Sequence, residues 1–369
     1  MAKIALYLAG GGARGAYQAG TLKAISEILK VQTLPFAMVS GVSIGCIHAA
    51  ILAQHAENFA DGIAKLEKLW SNIHCQQIFN SSNFELSKSV LRNLSRLFKT
   101  HSHSGYLLDT TPLHQFINEN IDFEMINKNI AANQLETIEV ISNCYESQQI
   151  ISFYQHSNPN FEDWNYPRHA SERAQININH LLASSALPLF FPAININGLH
   201  YGDGGMGLVA PLRGAVRFNV DKILVLGSRQ APTFRKTEIQ AGGEIGFANI
   251  LGTMLNGIFL DNLDRDIEMV NRMNDISRLI SMWKKRQSPW RPIEILHLRP
   301  SINIAEMAQC QYGNMPSFLR FLLNILGAQS HSGDLLSFLL FEKEFTLELL
   351  KLGYNDTMES ADIVRAFFS

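Results

Sequence analysis

KIALYLAGGGARGAYQAG, residues 3–20, decides how the rest of the chain is read. Lys3–Leu8 is almost continuously apolar, the pattern of a strand buried on both faces of a parallel sheet. The run breaks into Gly10, Gly11 and Gly12, passes Ala13 and Arg14, and enters at Gly15 a helical pattern. Tyr17, Leu22, Ile25 and Leu29 recur at helical spacing, so a helix is expected over about 14–29. A second short strand is expected over 36–39, followed by Ser40-Gly41-Val42-Ser43-Ile44-Gly45 and a helix to about His55. Strand, helix, strand, helix in that order predicts a parallel sheet with right-handed crossovers. The expected fold class is therefore α/β, a mostly parallel central sheet flanked by helices.

Gly10, Gly12 and Gly15 satisfy G-x-G-x-x-G, the fingerprint of a dinucleotide site. Such a site needs an acidic residue after the second strand to hold a ribose. Between Arg14 and Ser43 the only acid is Glu27, on the intervening helix, and no Gly-Lys-Ser/Thr follows the glycines. The same bare backbone suits a second use: N–H groups turned toward the oxyanion of an ester under attack, each worth on the order of 3 kcal/mol in the barrier.

Beyond the opening, residues 56–134 read as mostly helical, with Ser/Asn-rich loops near 80–83 and 100–105. Strands are expected at 135–144 and 149–154. A short helix is expected at 179–186, stopped by Pro188. A hairpin around Asn197-Gly198 then leads directly into Asp203-Gly204-Gly205. Further strands are expected at 222–227 and 293–298, with an amphipathic helical stretch from Phe247 to Met273 between them. The tail predicts one long helix from Asp334 to Leu352, closed by Gly353.

The chain has 369 residues, 46% hydrophobic and 17% charged, enough to bury a sizeable core. A net charge of −2 argues against a general nucleic-acid binder. The four cysteines are scattered without C-x-x-C spacing, which predicts free thiols and no zinc site. No cleaved export signal and no run of roughly 20 apolar residues is read, so a cytoplasmic protein is expected.

Gly41-Val42-Ser43-Ile44-Gly45 is a G-x-S-x-G between strand and helix, the setting of a nucleophile elbow. Its plainer reading is a glycine-flanked serine capping a helix. A serine nucleophile needs a base. Of the 12 histidines, His48 lies on the same helix and should point away, while His200 and His297 sit in strand patterns. Asp203, ending a strand before two glycines, is better placed, although Asp-Gly alone is also a common turn.

Taken in order, Gly10-Gly11-Gly12-Ala13-Arg14-Gly15, Gly41-Val42-Ser43-Ile44-Gly45 and Asp203-Gly204-Gly205 resemble the motifs of the patatin-like phospholipase family. Residues 183–192, ASSALPLFFP, and Ala210-Pro211-Leu212 resemble the segments around the family's Asp motif. The resemblance spans roughly 3–230 and implies a three-layer α/β/α catalytic domain over 1–230. Residues 231–369 would complete it and add helices packed upon it. It further implies a Ser43–Asp203 dyad and an oxyanion hole drawn from Gly10 to Gly15, with the backbone of Gly11, Gly12 and Ala13 as the main donors. Gly41 and Gly45 would shape the elbow, and Gly204 and Gly205 the Asp motif. No cofactor or metal is implied. Where the family often carries Asn after Asp-Gly-Gly, this chain has Met206-Gly207-Leu208-Val209.

The implied activity is lipid acyl-ester hydrolysis through an acyl-enzyme. A serine acyltransferase or soluble-ester hydrolase would share the motifs. A phosphate- or nucleotide-binding protein would leave Ser43 and Asp203 without roles. Asp203 is expected to be partly buried, since an exposed carboxylate is a weak base. Stretches 245–260 and 318–326 are expected to pack in a core, with an apolar rim for a lipid surface as the alternative. Trp283-Lys284-Lys285-Arg286 with Trp290-Arg291 is expected to be a solvated helix end, with a peripheral membrane contact as the alternative.

Overall fold

A computed structural model describes residues 2–80, 106–231, 261–279, 290–315 and 333–369, together with 250, 252–254, 256, 257, 317 and 320. The described strands join one mixed sheet. In chain order they are β1 (Ile4–Leu8), β2 (Met38–Val42), β3 (Thr137–Cys144), β4 (Gln149–His156) and β5 (Asn165–Tyr166). There follow β6 (His169–Arg173), β7 (Ile194–Ile196), β8 (Leu199–Asp203), β9 (Lys222–Leu226) and β10 (Glu294–Leu298). In space the order is β10-β9-β1-β2-β3-β4-β6-β5. From β10 to β3 all neighbours are parallel; β4 turns back antiparallel on β3.

Every residue of β1 is buried, as its continuous apolar run requires. Leu6 and Leu8 face a core shared with α1 (Gly15–Leu29), α2 (Ile44–Gln54), α3 (Phe59–Trp70) and the helix Lys343–Glu359. Burying one such leucine contributes about 1.5–3 kcal/mol. Ala5 and Tyr7 face the opposite core, with Leu212, Phe218, and Leu263 and Val270 of the helix Asp261–Leu279. Helices thus cover both faces, a three-layer α/β/α arrangement.

Two expectations are corrected. β2 does not end at residue 39: Gly41 and Val42 still pair with Val140 and Ile141 of β3, so the strand runs straight into Ser43. The long C-terminal helix is broken. One segment, Gly333–Leu339, ends before Leu340-Phe341-Glu342, and a second, Lys343–Glu359, runs straight through Gly353. Gly353 is no helix stop; it lets that helix approach α1 so closely that a β-carbon would meet the Tyr17 carbonyl oxygen.

Several expected features lie outside the described residues: 81–83, 100–105, most of 245–260, 318–326 except Arg320, and 283–286. Of the basic-aromatic stretch, Trp290 is partly buried against the core that includes Phe218 and Leu263. The Arg291 guanidinium donates to the carbonyls of Asn219 and Val220 and pairs with Asp221. These contacts tie it to the turn before β9. No described helix is long and apolar enough to cross a membrane.

Candidate active site

Ser43 is held in a strained turn. Its backbone sits at φ 56° and ψ −129°, a region that costs a non-glycine residue about 1–3 kcal/mol. The two flanking glycines make the turn feasible. A β-carbon on Gly41 would strike the backbone of Gly45, and one on Gly45 would strike the Leu8 carbonyl at the end of β1. The Ser43 side chain makes no capping bond to α2 and instead lines a cleft. Its amide is fixed by Ser184: Ser43 N–H donates to Ser184 Oγ at 3.0 Å, and that hydroxyl donates to the Ile141 carbonyl at 2.6 Å.

Topology brings the candidate base to the same point. β2 runs parallel to β3 and pairs Val42 with Ile141. β8 runs antiparallel along the same edge of β3 and pairs Asp203 with Ser142, the next residue. The two strands therefore meet end to end, and Ser43 and Asp203 both stand at the junction. Gly204 completes it, since a β-carbon there would collide with the Ile141 carbonyl and Val42.

Asp203 is fully buried. Its Oδ1 accepts from the Gly205 amide at 2.8 Å, while Oδ2 has no hydrogen-bond partner. Burial pushes the carboxyl up to about 7, opposed by the Gly205 amide and by the nearby Ser43 hydroxyl. The hydroxyl is close enough to favour the ionised form but falls short of a full hydrogen bond to Oδ2, as is common before substrate binds.

The glycine loop forms the facing wall. Gly11 and Gly12 line the cleft with Ser43. Ala13 is buried in a turn of 3-10 helix over Gly12–Arg14. The Gly10 carbonyl accepts from Ser228 Oγ at 2.7 Å. The Arg14 amide donates to the Gly11 carbonyl and the Gly15 amide to carbonyls of the turn, so both are engaged in closing it. The Arg14 side chain turns away from the cleft. Its Nε donates to Ser337 Oγ at 2.8 Å, an Nη pairs with Asp334 at 3.2 Å, and the guanidinium lies 4.3 Å from the Phe338 ring centre. Burial lowers its pKa to about 10.

The histidines take other roles. His48 is buried, accepts from Trp70 Nε1 at 2.8 Å on Nε2 and bonds Gln18 at 3.0 Å through Nδ1. That network assigns a neutral ring protonated on Nδ1, and burial lowers its pKa to about 3. Gln18 in turn donates to the carbonyls of Ala9 and Leu226, fixing the chain just before the glycine loop. His200 pairs with Glu146 at the surface, and His297 is half-buried on β10 beside Asp264.

The cleft, open to solvent on one side, spans about 520 Å³ of unfilled space. Its walls are chiefly Ile44, Ile47, Leu113, Phe191, Phe338 and Phe341, and no described lining residue is charged. Sequence reading missed Ser184, Gln18 and the Phe338–Phe341 wall. Ser184 stands in the quoted ASSALP segment, a usable signal; the wall, some 300 residues from the loop it covers, carries none.

A layered α/β/α fold with a strained serine elbow opening on an apolar cleft defines a class of ester-cleaving proteins. The chain matches the family model described as Patatin-like phospholipase over residues 6–216, more than half its length, and belongs to that family, one of lipid acyl hydrolases. No curated protein matches it. Among solved structures it is similar to VipD from Legionella pneumophila, at 12% identity and a TM-score of 0.40, over 98% of this chain and 67% of that one.

Proposed function

We propose that this protein hydrolyses carboxylic esters of lipids through Ser43 and Asp203. The observation that carries the reading is the end-to-end meeting of β2 and β8 on β3, with a strained serine and a buried carboxylate at adjoining positions. Asp203 Oδ2 takes the Ser43 proton as Oγ attacks the ester carbonyl. Backbone N–H groups of Gly11 and Gly12, with Ala13 beside them, receive the developing oxyanion. As the tetrahedral adduct collapses, the proton passes from Asp203 to the departing alcohol and the acyl group stays on Ser43. Water then attacks the acyl-enzyme, giving its proton to the same carboxylate, and that proton passes to Ser43 Oγ as the fatty acid leaves.

Holding Oδ1 on the Gly205 amide leaves Oδ2 as the proton acceptor. A pKa near 7 makes the carboxylate a far better base than an exposed one. The uncharged walls favour an acyl chain over a phosphate, and Arg14, the loop's own cation, is turned to the C-terminal segment. That weighs against the nucleotide-binding alternative. Contact with a membrane surface belongs to the same proposal, as the way a lipid ester would reach the cleft.

A fluorophosphonate probe tests it. Wild-type protein should be labelled on the peptide holding Ser43, and a panel of lipids should release free fatty acid. Ser43→Ala should lose both while keeping its circular dichroism. Folded wild-type protein that neither labels nor releases acid would remove the proposal.

A further inference from the structure

Part of the wall of the cleft that holds Ser43 comes from outside residues 6–216. Phe338, Leu339 and Phe341 all line it and all are buried. They belong to a strap formed by the helix Gly333–Leu339 and its extension to Glu342. The strap is fastened along its length. Arg14 holds Asp334, Ser337 and the Phe338 ring. The Phe338 carbonyl rests on Gly12, at φ +55°, so closely that a β-carbon there could not be accommodated. Cys75 Sγ donates to the Leu339 carbonyl at 3.6 Å, and the Cys75 amide to Glu342 at 3.4 Å. The Phe341 ring stacks on Trp70 at 6.3 Å between centres and 13° between planes.

A wall fixed at four points cannot swing aside to fit a larger guest at little cost. From this we infer that the strap side chains Phe338, Leu339 and Phe341 determine which acyl groups reach Ser43. The inference rests on the ester-hydrolase reading above and adds to it a selectivity that the family-matched segment does not contain. The rest of the lining, Ile44, Ile47, Leu113, Leu187 and Phe191 among it, is apolar too, so the accepted group is a hydrocarbon chain. One methylene too many in such a slot costs 10-fold or more in kcat/KM, because a packed wall does not yield.

The experiment compares p-nitrophenyl esters from butanoyl to hexadecanoyl in the full chain. In Phe341→Ala, with Phe341→Leu as the milder version, the ratio of kcat/KM for the longest against the shortest ester should rise about tenfold or more. In Leu339→Phe the same ratio should fall. Opposite shifts cannot arise from unfolding, which would lower all rates together and leave the ratio alone. An unchanged ratio in both directions, with wild-type Ser43 labelled and active, overturns the strap's role and leaves the hydrolase reading intact. Wild-type protein without labelling or ester cleavage overturns the hydrolase reading itself.

Discussion

The elbow and the strap are both tightly held, but by different means. At the elbow, residues close in sequence enforce the geometry: Gly41 and Gly45 remove the side chains that would bar the turn, and β2 runs directly into Ser43. At the strap, position depends on partners far along the chain, from Arg14 and Cys75 to Trp70. The elbow stores strain that the surrounding sheet supports. The strap stores none that its backbone shows and depends on side-chain fastenings instead. The turn that carries the candidate nucleophile is thus built into a short stretch, while the shape of what it acts on is assembled from the whole fold.

The largest expected effect separates chemistry from stability at the elbow junction. Asp203→Asn should lower kcat/KM by about 10³-fold or more, as loss of the proton acceptor does in comparable sites. Its stability should move the other way. The folded carboxyl titrates near 7, well above the ordinary carboxylate value, so between about pH 4 and 7 the folded state binds more protons than the unfolded one. Stability therefore falls as pH rises through that window, and the full penalty is present above 7. Asparagine carries no such penalty, so the variant should gain roughly 1–4 kcal/mol over wild type at pH 8 and little at pH 4. Denaturant titrations at both pH values measure it; an equal gap at both would mean that Asp203 is not the buried, raised carboxylate described here. Wild-type kcat/KM should climb with pH toward a plateau above about 7 for the same reason.

That contrast also explains what the sequence disclosed. The glycine loop, the elbow and the Asp motif were legible because each is a local steric requirement written in glycines beside one functional side chain. The head-to-head junction of β2 and β8 was not, because it depends on β3 pairing with both along one edge, and pairing partners leave no local mark. Gly353 was misread for a related reason. A glycine near the end of a helical pattern resembles a stop, whereas a glycine demanded by a second helix looks the same in one dimension. Arg14 sat in the expected motif, but its partners Asp334 and Ser337 lie some 320 residues away.

An intermediate effect is expected where the two regions touch. Arg14→Gln removes the ion pair, the bond to Ser337 and the contact with the Phe338 ring at once. Asp334 is 44% exposed, so water screens part of the pair, and a loss of roughly 1–3 kcal/mol is expected rather than the full cost of breaking a buried one. Limited proteolysis should then cut within 333–342 before other sites. Arg14→Lys should restore little of the protection, since an ammonium cannot reproduce the planar fork and ring stacking. Equal protection in wild type and Arg14→Gln would show that the strap is held without the loop.

The smallest effect turns on a sign. If Gly353 were merely an interior helix residue, Gly353→Ala would stabilise the protein by about 1 kcal/mol through propensity alone. Here its α-carbon lies against the Tyr17 carbonyl and the Thr21 amide of α1, and Gly20 of α1 lies equally close to the Leu350 carbonyl. Thr21 and Thr357 hydroxyls both donate to the Gly353 carbonyl, at 3.4 Å and 2.7 Å, so the backbone at this crossing has hydroxyl partners on both helices. A methyl group must push two backbones apart and stretch those bonds, a cost of about 1–3 kcal/mol. The variant should therefore unfold at lower denaturant, with activity per folded molecule kept because the crossing lies away from the cleft. A midpoint equal to or above that of wild type would show that the helices part easily and that their close approach is not what fixes the C-terminal helices in place.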